Sequence, residues 1–285
     1  MRLVRTLAAL TALTVAPLCA RATTFVPGEF VTWSQVAWGG DPAPGNISFS
    51  LEENFDSLFA PSGLLEMGIP GPTGFSMIFD GPDPIIKYLP ASGTPGPLTA
   101  DLLDPVDTAS GVLGGEVVTA TLNVTFSDND LLAHSPGIPF GDLVFQNLDL
   151  FNALEGPDVG PEITELDGMS VREALSDANL VLGGGASPFT PVDMFELLNF
   201  TSRAFNGGGV EENADMFLAL PSTAPTVPEP STWAMLLLGF AGFGFIRYRA
   251  SRGAAVPGNR AGSKPRLTSQ GATFPESVLI GWLGR

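Results

Sequence analysis

Fourteen consecutive apolar residues, 233–246, divide this 285-residue chain into parts suited to different solvents. As a helix the run is about 21 Å long at 1.5 Å per residue, short for a hydrocarbon layer of about 30 Å. Its flanks extend it. Ser231 and Thr232 can enter the interface, Trp233 and Tyr248 suit the two headgroup belts, and Arg247, Arg249 and Arg252 can snorkel. Local thinning of the bilayer absorbs the remaining mismatch. Length alone would favour a buried core helix. The stiff Pro228-Glu229-Pro230 before the run and the arginines after it argue for a membrane anchor comprising Trp233, Leu236, Leu237, Leu238, Ile246, Arg247, Arg249 and Arg252. The positive-inside rule places the arginines in the cytoplasm and the rest of the chain outside.

The other end agrees. Arg2 and Arg5 precede a short apolar stretch, 6–18, which leads to Ala20-Arg21-Ala22. A charged start, a short greasy run and an A-x-A pattern describe a secretory signal peptide, here cleaved after Ala22. An uncleaved anchor is disfavoured because about 13 apolar residues span a bilayer poorly. Cys19 invites a lipoprotein reading, but Leu18 directly before it is too bulky for a small-residue lipobox. If Cys19 leaves with the signal, the mature chain has no cysteine.

The tail from Val227 to Leu236, with its apolar helix and Arg247 to Arg252, resembles the PEP-CTERM sorting signal of Gram-negative, exopolysaccharide-producing bacteria. The resemblance covers about 26 residues. It implies that an exosortase, a membrane cysteine protease/transpeptidase, recognises Pro228, Glu229 and Pro230 and cuts near them. It further implies export, transient anchoring in the inner membrane, and transfer to the cell surface or extracellular matrix. The chain departs from that pattern in continuing 33 residues past Arg252, a segment with four bases and one acid that reads as a disordered cytosolic tail. The stretch 166–185, followed by Ala204-Phe-Asn-Gly-Gly, is also similar to segments of PEP-CTERM surface proteins, without naming an activity.

The chain carries 30 acids and 13 bases, but only Lys87, Arg172 and Arg203 are basic between Ala22 and Ile246. So acidic a body is poorly suited to nucleic acid, whose phosphates need neutralising by Lys and Arg. One Cys and one His, His134, exclude an intrachain disulfide, a Cys/His zinc site and a Cys-His catalytic pair. The 34 glycines and 26 prolines, about a fifth of the chain, favour strands and loops over long helices. Strand-like stretches at 30–38, 47–51, 74–79, 85–89, 117–126 and 143–150 alternate with turn clusters. They predict a mainly β, antiparallel sandwich-like domain over 23–155. Its clearest strand is 117–126, with Val118, Ala120, Leu122, Val124 and Phe126 on one face and Thr119, Thr121, Asn123 and Thr125 on the other.

A small helical subdomain, 156–220, should follow. Ser170 and Glu173 form a capping box for a helix over 170–182, which Gly183 stops. Thr190 and Pro191 begin a second helix, reaching Phe205, and 210–220 reads as a third. A Pro-rich linker, 221–230, then leads to the sorting helix and Arg cluster, 231–252, and the tail, 253–285.

Chemistry is thinner. His134 has no second His and reads as a loop residue. The pairs Asp80/Asp83, Asp128/Asp130 and Glu211/Glu212 would suit a secreted carbohydrate-active enzyme only at the right carboxyl separation, which sequence does not set. The Gly183 and Gly207 triplets follow helices and read as C-caps, not phosphate cradles. Calcium is the best-motivated ligand, at Asp128 and Asp130 or along Asp101, Asp104 and Asp107, although no EF-hand pattern is present. Asn123-Val124-Thr125 fits a glycosylation acceptor, but in mid-strand. The favoured expectation is a surface- or matrix-sorted structural or adhesive protein, not an enzyme, with exopolysaccharide or matrix as partner. A calcium-dependent binding module is a further alternative. Mass spectrometry of the mature protein should find Thr23 at its N-terminus; an intact Met1 or a lipidated Cys19 would refute the signal-peptide assignment.

Overall fold

The structure, a computed structural model, describes residues 24–155 and 159–221, all within one compact unit, Met1–Thr223. Its elements run α1 (Gln35–Trp38), α2 (Ile47–Leu58), β1 (Leu65–Gly68), β2 (Ser76–Phe79), α3 (Pro82–Tyr88), β3 (Leu102–Leu103) and α4 (Val112–Asp128). Then come β4 (Val144–Phe145), α5 (Phe151–Leu154), α6 (Val171–Leu182), α7 (Pro191–Ala204), α8 (Ala214–Phe217) and β5 (Leu218–Ala219). Short 3-10 turns occupy Phe140–Asp142, Leu148–Leu150 and Pro161–Leu166.

Among the described residues the expected sandwich is absent: helix accounts for 44% of them and strand for 10%, and the strands form a three-stranded and a two-stranded sheet. In the first, β1 pairs antiparallel with β2, Leu65 opposite Phe79, and β3 lies parallel to β2, Met77 opposite Leu102. In the second, Val144 faces Ala219 and Phe145 faces Leu218. Of the six strand assignments only 74–79 holds, as β2. Stretches 47–51 and 85–89 lie in helices α2 and α3, 30–38 ends in helix α1, and 143–150 keeps just a two-residue strand.

The clearest expected strand, 117–126, is the middle of the longest helix. Its alternation was real but uninformative. Thr119 and Asn123, assigned to a solvent face, are fully buried along with Val118, Leu122 and Phe126. A helix covered on all sides has no polar face and hence no 3.6-residue stripe. The β-branched residues here raise strand propensity, but that preference is worth tenths of a kcal/mol each and tertiary burial overrides it. Thr121 Oγ1 donates to Val117 O at 2.7 Å, an i−4 bond that the helix supplies.

The helical assignments further on hold. Ser170 and Glu173 close a reciprocal capping box on α6, and Thr190 with Asp193 does the same on α7, where Pro191 occupies the first turn. Of the third, only 214–217 is helical, before β5. Helices α6 and α7 pack on each other and on α4. Gly183 does more than stop α6: a Cβ there would lie 2.6 Å from Ile69 N, so its absence lets the β1–β2 connection rest on the helix end. The last carbonyls of α6 are satisfied across that contact, Leu98 N donating to Leu182 O at 2.7 Å and Phe75 N to Gly183 O at 3.0 Å.

Helix α4 carries one buried polar stripe, Glu116, Asn123 and Ser127, and the N-terminal segment is bound along it. Asn123 Oδ1 accepts from Trp33 N at 2.9 Å and from Trp38 Nε1 at 3.2 Å, while its Nδ2 donates to Trp33 O at 2.9 Å. Ser127 Oγ accepts from Phe140 N at 2.9 Å. Gln35 Nε2 donates to Glu116 Oε1 at 2.7 Å, and its Oε1 accepts from Ala91 N at 3.0 Å. Gly115 makes room for that amide, since a Cβ would sit 2.1 Å from Gln35 Oε1. Replacing Asn123 by Ala leaves the half-buried Trp33 backbone unpaired at both its N–H and its C=O. It should cost about 2–4 kcal/mol in chemical denaturation; a loss under half a kcal/mol would show that the stripe does not organise the fold.

Candidate functional site

Three segments distant in sequence meet around Trp33: the strand-like 31–33, the turn and first helical turns at 44–53, and the loop 131–133. Between them lies an open groove of about 480 Å³. A smaller cleft of about 220 Å³ lies alongside, sharing Trp33, Gly45, Asn46 and Ile47. Val31 N donates to Ala133 O at 2.9 Å, which ties two of the walls. On the third wall lie Asn46, the residue that precedes α2, and Ser50 and Glu53, three residues apart on one face of it.

The 131–133 wall is anchored by His134. Its Nδ1 lies 2.9 Å from Ser135 O and its Nε2 lies 2.9 Å from Asp130 Oδ1. The Ser135 carbonyl raises the imidazole pKa above its ordinary value; burial opposes it, and Asp130 and Asp128 add to the rise.

A second cleft, of about 270 Å³, is lined by Gln35, Phe195, Asn199, Arg203 and Glu116 among others. Glu116 is 4% exposed. Burial pushes its carboxyl pKa up, opposed by the Gln35 hydrogen bond and the charge of Arg203. Its Oε2 and the Ser202 hydroxyl both lack a hydrogen-bond partner among the described residues. A neutral, protonated carboxyl is the form this burial favours.

The sequence-predicted metal residues do not converge. Arg172 Nη1 and Nη2 donate to both Asp128 oxygens at 2.8 Å, and Nη2 also reaches Asp142 at 3.1 Å. Asp130 turns to His134 instead. Among the described residues no three His, Cys, Asp or Glu side chains are grouped as a metal would need. Asp101, Asp104 and Asp107 each accept from a different backbone N–H, of Ser76, Asp80 and Thr108. Asp80 is paired with Asp104, whose charge raises its pKa, and not with Asp83. Asn123, the candidate acceptor for a glycan, is wholly buried with its amide engaged on both sides.

Ala20 and Ala22, Pro228, Glu229 and Pro230, and every anchor residue from Trp233 to Arg252 lie outside the described residues. Among the described residues no helix is long and apolar enough to cross a membrane. Residues 226–250 match the family model of the PEP-CTERM protein-sorting motif. The C-terminal segment is a PEP-CTERM sorting motif. The protein is therefore exported and sorted at the membrane as an exosortase substrate. No curated protein and no solved structure matches the chain. The motif was legible as a linear string; the Trp33 groove was not, since it needs three segments brought together by the fold.

The Glu116 geometry sets a pH dependence. A carboxyl whose folded pKa is raised holds its proton where the unfolded chain has lost it. It therefore withdraws stability as pH rises through and above the ordinary carboxylate range. Glu116→Gln keeps the acceptor for Gln35 and should raise the urea midpoint at pH 8, with the gain shrinking toward pH 4. A gain that grows as pH falls would contradict a buried, proton-holding Glu116.

Proposed function

We propose that the exported body is a structural or adhesive component of the cell surface or extracellular matrix, delivered there by exosortase processing near Pro228-Glu229-Pro230. The observation that carries this reading is the placement of the sorting motif, which begins at 226, five residues past the described body's last residue, 221. The described body thus lies on the N-terminal side of the signal and can be delivered as one piece. The role is non-catalytic. In support, Asp128 and Asp130, which the sequence suggested as a hydrolase pair or a calcium site, are engaged otherwise, with Arg172 and His134.

Cell fractionation of tagged protein tests it. Wild type should appear processed and co-sedimenting with extracellular matrix, whereas a Pro228/Glu229/Pro230 triple-alanine variant should remain unprocessed in the membrane fraction. The same distribution for both would refute the sorting route. Processed wild type found free in the medium would refute the matrix destination.

A further inference from the structure

We propose that the groove beside Trp33 binds a neutral, hydroxyl-rich glycan. The inference gives the adhesive reading above a ligand class and rests on that reading only for where the ligand is met. The groove and the cleft beside it share Trp33, Asn46 and Ile47, so the space continues past the indole on either side. An extended polymer can lie across it. At about 480 Å³ the main groove has the size of a small-molecule site.

The platform is fixed in advance. Trp33 is held through its own backbone N–H and C=O by the fully buried Asn123 amide, at 2.9 Å each. Its indole sits half-buried against the core. A ring fixed in this way loses little freedom on binding. The C–H face of a sugar ring is its natural partner, being apolar and flat enough to stack.

The wall beside it supplies hydrogen bonds. From Asn46 to Glu53 the side chains follow α2 for seven residues, about 10 Å. Asn46 Nδ2 is used by Asp41 O, leaving the amide oxygen. The exposed Glu53 carboxylate makes no ion pair or hydrogen bond to any described residue. Amide and carboxylate oxygens accept from sugar hydroxyls. A purely apolar ligand would leave these groups desolvated and unpaired.

Charge selects among polar ligands. Residues 24–221 contain 28 acids and three bases, and none of the three bases lines the groove, which carries Glu53 instead. Phosphates, sulfates and uronates are repelled from such a surface. An extended peptide would look for free backbone groups to pair with, and the one extended segment at the groove, 31–33, has its own engaged: Val31 N on Ala133 O, Thr32 N on Phe205 O, and both Trp33 groups on the Asn123 amide. Neutral hydroxyls are what remain.

The full chain, solubilised in a detergent without a sugar headgroup, should be retarded in gels cast with at least one neutral polysaccharide. Dextran, a β-1,3-glucan and a galactomannan form the neutral panel, with alginate and polygalacturonate as the acidic one. Trp33→Ala should weaken retardation about tenfold or more, Trp33→Phe should retain part of it, and Ser50→Trp should block the groove without touching the platform. Thermal melting of each variant establishes that it is folded; if Trp33→Ala is not, Ser50→Trp decides. Retardation by no neutral polymer, equal retardation by the acidic ones, or unchanged retardation of folded Ser50→Trp overturns the proposal. So does a groove that Trp33→Ala shows to hold a second copy of the chain, read as loss of a dimer. None of these outcomes bears on sorting, which the fractionation reads separately.

Discussion

The fold depends on one buried polar stripe. Helix α4 is enclosed on nearly every side, so it has no hydrophobic direction of its own to decide which neighbour lies where. Apolar contact alone leaves such a helix free to rotate or slide at little cost, because burial energy is non-directional. Asn123 removes that freedom. Its one amide takes both backbone groups of Trp33 and the indole of Trp38, groups that in a dry interior would otherwise be orphaned. Any rotation of α4 breaks three hydrogen bonds at once. Glu116 fixes the same segment further along through Gln35, and Ser127 fixes the chain at Phe140. The segment so held, 31–38, then brings Val31 and Trp33 to the groove.

Several of the aspartates have a structural use of the same kind. A chain with so much glycine and proline makes long connections whose N–H groups find no ladder partner. Carboxylates take them. Asp215 accepts from Phe25 N, Asp101 from Ser76 N, Asp104 from Asp80 N, Asp167 from Leu148 N, and Asp193 from both Gly160 N and Thr190 N. Several of these bonds join segments far apart in sequence; that from Phe25 to Asp215 joins the two ends of the described body. A carboxylate suits the task because it accepts several hydrogen bonds and donates none. Of the loop acids that the sequence offered to a cation, Asp101, Asp104 and Asp107 accept from backbone N–H groups instead.

Helices α6 and α7 were legible because their signals are local: a Ser or Thr at the cap, an acid three residues on, proline in the first turn, glycine after the end. Each of those residues acts on atoms within four positions of itself. Helix α4 was illegible for the opposite reason. Its state is decided by α1, α6 and α7 pressing on it from outside, and its β-branched sequence points the wrong way. Where helices are short or amphipathic over barely two turns, as in α3, period 2 and period 3.6 give nearly the same string, and 85–89 passed for a strand.

Function divides along the same line. A sorting motif is a linear pattern, and residues 226–250 carry it in the order of the residues themselves, which is why it is recognisable in the sequence. A groove that grips a ligand is a property of places, not of strings. Trp33, Asn46 and Leu131 are separated by up to about a hundred residues and become neighbours only because the Asn123 clamp, the α2 cap region and the His134-anchored loop converge. The residue that makes the platform rigid, Asn123, does not line the groove. In the sequence it stood only as a glycosylation acceptor on an expected strand, a role its complete burial removes.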